Sequence, residues 1–73
     1  MKVLDLAGTT KNLTKIMKEK KITAAQIAEK LDIHVQSVYK WKQGVSMPTL
    51  DNLVPLCEFL QVTLDDFIVT NTI

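Results

Sequence analysis

The sequence predicts an all-α domain of five short helices, on three observations. Apolar residues recur at helical spacing, most cleanly Ala24, Ile27, Ala28 and Leu31 at i, i+3, i+4 and i+7. A helix-start signal occurs twice in one form: Thr23 with Gln26 three residues on, and Thr63 with Asp66. Only two Gly and two Pro are spread through 73 residues, which leaves little chain for long loops. A chain of this length supports one core. Its 47% apolar and 23% charged composition is that of a folded globule rather than a disordered segment.

The first helix is expected over 10–20, with Leu13, Ile16 and Met17 inward and Lys15, Lys18 and Glu19 outward. The second, over 24–31, starts at the Thr23 cap, with Ile22 and Ile27 placed as a hydrophobic staple across it. Asp32-Ile33-His34 then forms a short link. The third helix, 35–42, turns Val38 and Trp41 inward and ends at Gly44, which adopts a left-handed backbone cheaply. Thr49 caps a fourth helix over 50–60, apolar on most of its surface, with Pro55 inside it. An interior proline costs ~3 kcal/mol, so either the helix kinks there or its real start lies nearer Asp51 or Asn52. The fifth helix covers 64–68. The core is expected to contain Val38, Trp41, Ile27, Leu31, Leu53 and Leu60. The ends, 1–9 and 70–73, read as tails. Val3-Leu4-Asp5-Leu6 and Ile68-Val69-Thr70-Asn71-Thr72-Ile73 are β-prone and suited to pair with each other or with a second chain.

Composition also narrows the chemistry. Cys57 is the only cysteine and His34 the only histidine, so neither an internal disulfide nor a closed four-ligand metal site is available. No nucleophile or carboxylate cluster accompanies His34, which reads as a turn or capping residue with a phosphate contact as the sharper alternative. No metal, cofactor or catalysis is expected. Asp5 interrupts the only apolar run near the start, no segment approaches a membrane span, and a cytoplasmic location is expected. All nine basic residues are lysines lying between Lys2 and Lys42. Residues 1–44 carry +5 and residues 45–73 carry −4, a dipole whose positive end attracts polyanions.

Two helices joined by a tight turn, the second short and polar outside, describe a helix-turn-helix, whose free helix face fits the DNA major groove. The segments ITAAQIAEKL (22–31), SVYKWKQG (37–44), Pro48 and LQVTLDDF (60–67) resemble the lambda-repressor/Cro-like (XRE-type) helix-turn-helix family, over about residues 10–69. The resemblance implies a five-helix domain. It also implies a sequence-specific, repressor-like transcriptional regulator that binds operator DNA, commonly as a dimer, with helix 35–42 in the major groove. It places Val35, Gln36, Tyr39 and Lys40 toward the groove, with Ser37 at the edge of that face. The residue chemistry agrees: Gln36 can bond an adenine edge, Lys40 can reach guanine acceptors, and Val35 can touch a thymine methyl. Tyr39 offers a polar tip to phosphate or base.

The sequence departs from that family in four places. Asp32 stands where the turn glycine is usual, and Gln61 where a glycine precedes the last helix. Met17 and Lys42 replace a usual Arg–Glu pair. Val45-Ser46-Met47 lacks the usual basic residue after Gly44 and offers phosphate only amides and the Ser46 hydroxyl. Lys20, Lys21, Lys40 and Lys42 are expected to compensate, together with Thr23 and the Ala24 amide at the opening of the second helix. The expected partners are double-stranded DNA and, weakly, a second copy docked through Leu56, Phe59, Phe67 and Ile68, with Ile73 adding a strand-like tail. Closure of the monomer's own core is the competing role for these residues, Leu56 above all. The rival function on the same fold is a protein-interaction or antitoxin-like module with weak or no DNA binding.

Overall fold

The computed structural model describes all 73 residues. In chain order they form β1 (Lys2–Leu4), α1 (Leu6–Lys20), α2 (Ala24–Leu31), α3 (Val35–Gln43), α4 (Leu50–Leu60), α5 (Leu64–Phe67) and β2 (Thr70–Thr72). The five predicted helices are present. The ends are not free tails, because β1 and β2 pair antiparallel with Val3 opposite Asn71.

The first helix starts at Leu6, not at residue 10. Asp5 is its N-cap, accepting the Gly8 N–H at 2.9 Å. A Cβ at Gly8 would lie 2.5 Å from the Asp5 carboxylate and 3.0 Å from Val69, so a larger residue there would push the Asp5 side chain out of its capping position. The early turn was hidden by Thr9, which breaks the apolar pattern yet is fully buried. Its hydroxyl accepts the Val69 N–H at 2.9 Å and donates back to the Val69 carbonyl. One turn further on, the Asn12 side-chain amide donates to the Asp66 and Phe67 carbonyls at 2.7 and 2.9 Å. Asp5, Thr9 and Asn12 thus form a polar stripe on α1 that clasps the last segment of the chain.

Helices α1 to α4 end alike. Lys21, Asp32, Gly44 and Gln61 take left-handed backbone, with φ of 57°, 56°, 76° and 59°. The next residue is apolar each time and its N–H reaches back into the helix: Ile22 to Met17, Ile33 to Ala28, Val45 to Lys40, Val62 to Cys57. Three of these turns continue directly into an N-cap, at Thr23, His34 and Thr63. The Asp32 and Gln61 positions therefore keep the left-handed geometry for which glycine is usual.

The core joins Leu13, Ile16, Met17, Ile27, Val38, Trp41, Leu56, Leu60 and Phe67 among its buried residues. Leu31 and Leu53, expected inside, are half-buried at its margin. Two of the expected docking residues are corrected here. Leu56 and Phe67 are 0% and 1% exposed and close the monomer's own core, and Phe59 and Ile68 are half-buried against it. The apolar surface left on α4 is instead Leu50 and Val54, 69% and 54% exposed. Cys57 is buried, and desolvation pushes its thiol pKa up, which disfavours the reactive thiolate.

Helix α4 begins at Leu50, with the Asn52 and Leu53 N–H groups both bonded to the Thr49 carbonyl. Pro55 is therefore interior, and the Asp51 carbonyl loses its helical donor. Both residues are exposed, so water can solvate the freed carbonyl. Pro55→Ala restores the bond and is expected to raise stability by about 1–3 kcal/mol, read as a higher midpoint in urea; an unchanged or lower midpoint would contradict the helix start.

Candidate nucleic-acid interface

The pair α2–α3 is held by the turn Asp32-Ile33-His34. The N–H of Ile33 reaches the Ala28 carbonyl at 3.0 Å, and Ile33 itself is half-buried against the core. His34 caps α3 with its backbone alone: its carbonyl accepts the Ser37 N–H at 3.0 Å, and its imidazole makes no capping bond. Val38 and Trp41 pin the inner face of α3. Its outer face carries Gln36, Tyr39, Lys40 and Gln43, all exposed.

The predicted site residues fall into distinct settings. Gln36, Tyr39 and Lys40 stand free on the outer face. Val35 is half-buried and packs against the core, so only part of its side chain is open to a base. Ser37 is half-buried at the edge of the face. Thr23 is exposed and locked in a reciprocal cap, its hydroxyl accepting the Gln26 N–H at 3.1 Å and its N–H donating to Gln26 Oε1 at 2.8 Å. Its hydroxyl proton is still available to an acceptor. Ala24 buries its methyl in the core and can offer only its N–H. This amide and that of Ala25 open the helix, where no intrahelical carbonyl reaches them.

The loop after Gly44 departs from expectation. The Val45 and Ser46 N–H groups both bond the Lys40 carbonyl, at 2.9 and 3.4 Å. These amides finish α3 and are not free for phosphate; of that segment Ser46 keeps its hydroxyl.

Beside the outer face a groove opens between α1, the start of α2 and α3. Lys18, Thr23, Ala24, Tyr39 and Lys42 line it over a floor that includes Met17. The Lys42 ammonium lies 6.0 Å from the Tyr39 ring centroid, a cation–π distance that draws the two side chains together. Met17 and Lys42, which stand in place of an Arg–Glu pair, are both here. An Arg–Glu pair would be neutral in sum, whereas Met17 and Lys42 leave one net positive charge beside this groove. Lysines, a hydroxyl and helix-opening amides converging on one groove suit a phosphate. Lys18, not Lys20 or Lys21, is the lysine from the end of α1 that lines it. Its spacing from Thr14 and Ile22, each four residues away, could have identified it in the sequence.

A small domain whose second and third helices are joined by a tight turn, with one helix face left open, defines a helix-turn-helix protein. The helix-turn-helix family profile matches residues 13–67, and the chain belongs to that family. The cryptic phage CTXphi transcriptional repressor RstR of Vibrio cholerae is 34% identical over 44 residues, which make up 60% of this chain and 39% of the repressor. The crystal structure of a transcriptional regulator from Listeria innocua superimposes with a TM-score of 0.77 at 23% identity. The match covers 89% of this chain and 62% of that one, and it establishes the shared fold. The chain thus spans less than two thirds of the length of each relative. No helix is long and apolar enough to cross a membrane.

Proposed function

We propose that the protein is a sequence-specific DNA-binding transcriptional regulator, repressor-like in action, that lays α3 in the major groove. The observation that carries this reading is the join between two surfaces. Gln36, Tyr39 and Lys40 project from the free face of α3, and the groove of Lys18, Lys42, Tyr39 and Thr23 lies directly beside it. The first surface suits base edges and the second suits the backbone. Gln36 is the adenine reader, Lys40 the guanine reader, and the exposed part of Val35 meets a thymine methyl. Ser37 and Ser46 lend hydroxyls at the margins, and the Ala24 amide joins Thr23 in holding a phosphate. The role is binding rather than catalysis, it is exercised in the cytoplasm, and it requires no metal or cofactor.

Two copies per site are part of this reading. One helix-turn-helix covers only about half a dozen base pairs, and so few basic groups bind weakly at physiological salt. A two-fold pair sets two helices about 34 Å apart, one DNA turn. Phe59 and Ile68 retain half-exposed surface for such a pair, whereas Leu56 and Phe67 do not.

The competing protein-interaction reading draws on exposed Leu50 and Val54 and on the engaged amides of the Val45–Ser46 loop. Titrating labelled random-sequence duplex at low and moderate salt separates the two. Binding that weakens steeply with salt is expected; no binding at low salt supports the interaction module.

A further inference from the structure

The ribbon made by the two ends of the chain has an outer edge with unusual properties. Hydrogen bonds inside the ribbon alternate along it. Met1 and Ile73 exchange bonds of 3.0 and 2.8 Å, and the Asp5 N–H reaches the Val69 carbonyl at 2.8 Å. Residues 1, 3 and 5 therefore face 73, 71 and 69 across the ladder. By the same alternation, the N–H and C=O groups of Thr70 and Thr72 point away from β1, and those of Lys2 and Leu4 point away from β2. A two-stranded ribbon of three-residue strands is marginal alone, and this one has two open edges.

The two edges differ in how they are guarded. The β1 edge carries Lys2, the usual deterrent to pairing. The β2 edge reads Thr70-Asn71-Thr72, fully exposed, with no charge, no proline and no bulge. It is also self-complementary. If two β2 strands meet antiparallel about an axis at Asn71, Thr70 of each faces Thr72 of the other. Both are residues whose backbone groups point outward, so every open N–H and C=O of those two threonines finds a partner. No like charges meet at this junction, and the lysines stay on the far edges.

We propose that a second copy of the chain docks on the β2 edge, making a continuous four-stranded antiparallel sheet across a two-fold axis. This supplies the surface for the two-copy reading above, which it rests on, now that Leu56 and Phe67 are accounted for in the core. The placement suits DNA. The ribbon sits at the start of α1 and the phosphate-suited groove at its end, and roughly 18 Å of helix separate Leu6 from Lys18. Twice that length is comparable to the about 34 Å between half-sites.

Sedimentation of the free chain over a range of concentration, without DNA, tests the edge independently of any DNA binding. Wild type is expected to show a monomer–dimer equilibrium. Thr72→Pro removes an outward N–H and no bond within the ribbon, and should raise the dissociation constant roughly thirtyfold, since it is lost from both copies. Lys2→Pro removes the matching N–H from the guarded edge and should change nothing. Amide exchange at Thr70 and Thr72 should slow as concentration rises, while that at Lys2 and Leu4 should not. The proposal is overturned if wild type stays monomeric at every concentration, if Thr72→Pro dimerises as wild type does, or if the Thr70 and Thr72 amides exchange independently of concentration. Dimerisation as proposed with no affinity for duplex DNA would instead overturn the function proposed above and leave the edge standing.

Discussion

Trp41→Ala is expected to abolish cooperative folding near ambient temperature. Trp41 is 5% exposed and lies beside fully buried Val38 on the inner face of α3, in the same core as Ile27, Leu56 and Leu60. Removing so large a buried side chain costs about 3–5 kcal/mol. Domains of this size sit near the low end of a total stability of about 5–15 kcal/mol, so the loss consumes most of the margin. Small two-state proteins also lack a second core to retain partial structure. Thermal melting followed by circular dichroism should give a broad, low-amplitude transition for the variant and a sharp one for wild type. A sharp transition within about 1 kcal/mol of wild type would remove Trp41 from the centre of the core.

The second large effect is expected from the groove lysines. The double variant Lys18→Ala/Lys42→Ala should weaken binding to every duplex alike, because phosphates carry no sequence information. Each lysine that neutralises a phosphate contributes about 0.9 to the slope of log affinity against log salt, so the slope should fall by nearly two. Lys30→Ala is the control. Lys30 lies with Glu29 and Phe59 between α2 and α4, away from the groove, and its loss should leave the slope nearly unchanged. Equal slopes for the double variant and wild type would show that the groove does not meet the backbone.

Much of the architecture could be read from local chemistry. The Thr23–Gln26 cap, the amphipathic spacing of α2 and Gly44 after α3 each specify a backbone event within a few residues, and the structure realises all three. The start of α1 could not be read that way. Its cap depends on Asp5 closing over Gly8, and its buried Thr9 depends on Val69, sixty residues further on. A polar residue satisfied at that distance looks like a surface residue in the sequence. The inward turn of Leu56 was ambiguous for a related reason. Helix α4 is apolar nearly all round, and composition cannot say which side the other helices cover. On α3, the exposure of Gln36, Tyr39 and Lys40 was legible from their phase relative to the inward Val38 and Trp41, and their role in reading bases is what the family resemblance implies. The engagement of the Val45 and Ser46 amides by Lys40 was not, since it follows from the left-handed turn at Gly44 rather than from side-chain type.

In the proposed function α3 reads bases through Gln36. Enrichment of bound duplexes from a random-sequence pool, carried out in parallel with wild type and Gln36→Ala, tests it most directly. Wild type should enrich one motif, with two half-sites about one DNA turn apart. The variant should enrich the same motif with the preference relaxed at a single position of each half-site, and should bind the wild-type motif about 1–3 kcal/mol more weakly. No enriched motif from wild type, or an identical motif at every position from Gln36→Ala, would contradict the account.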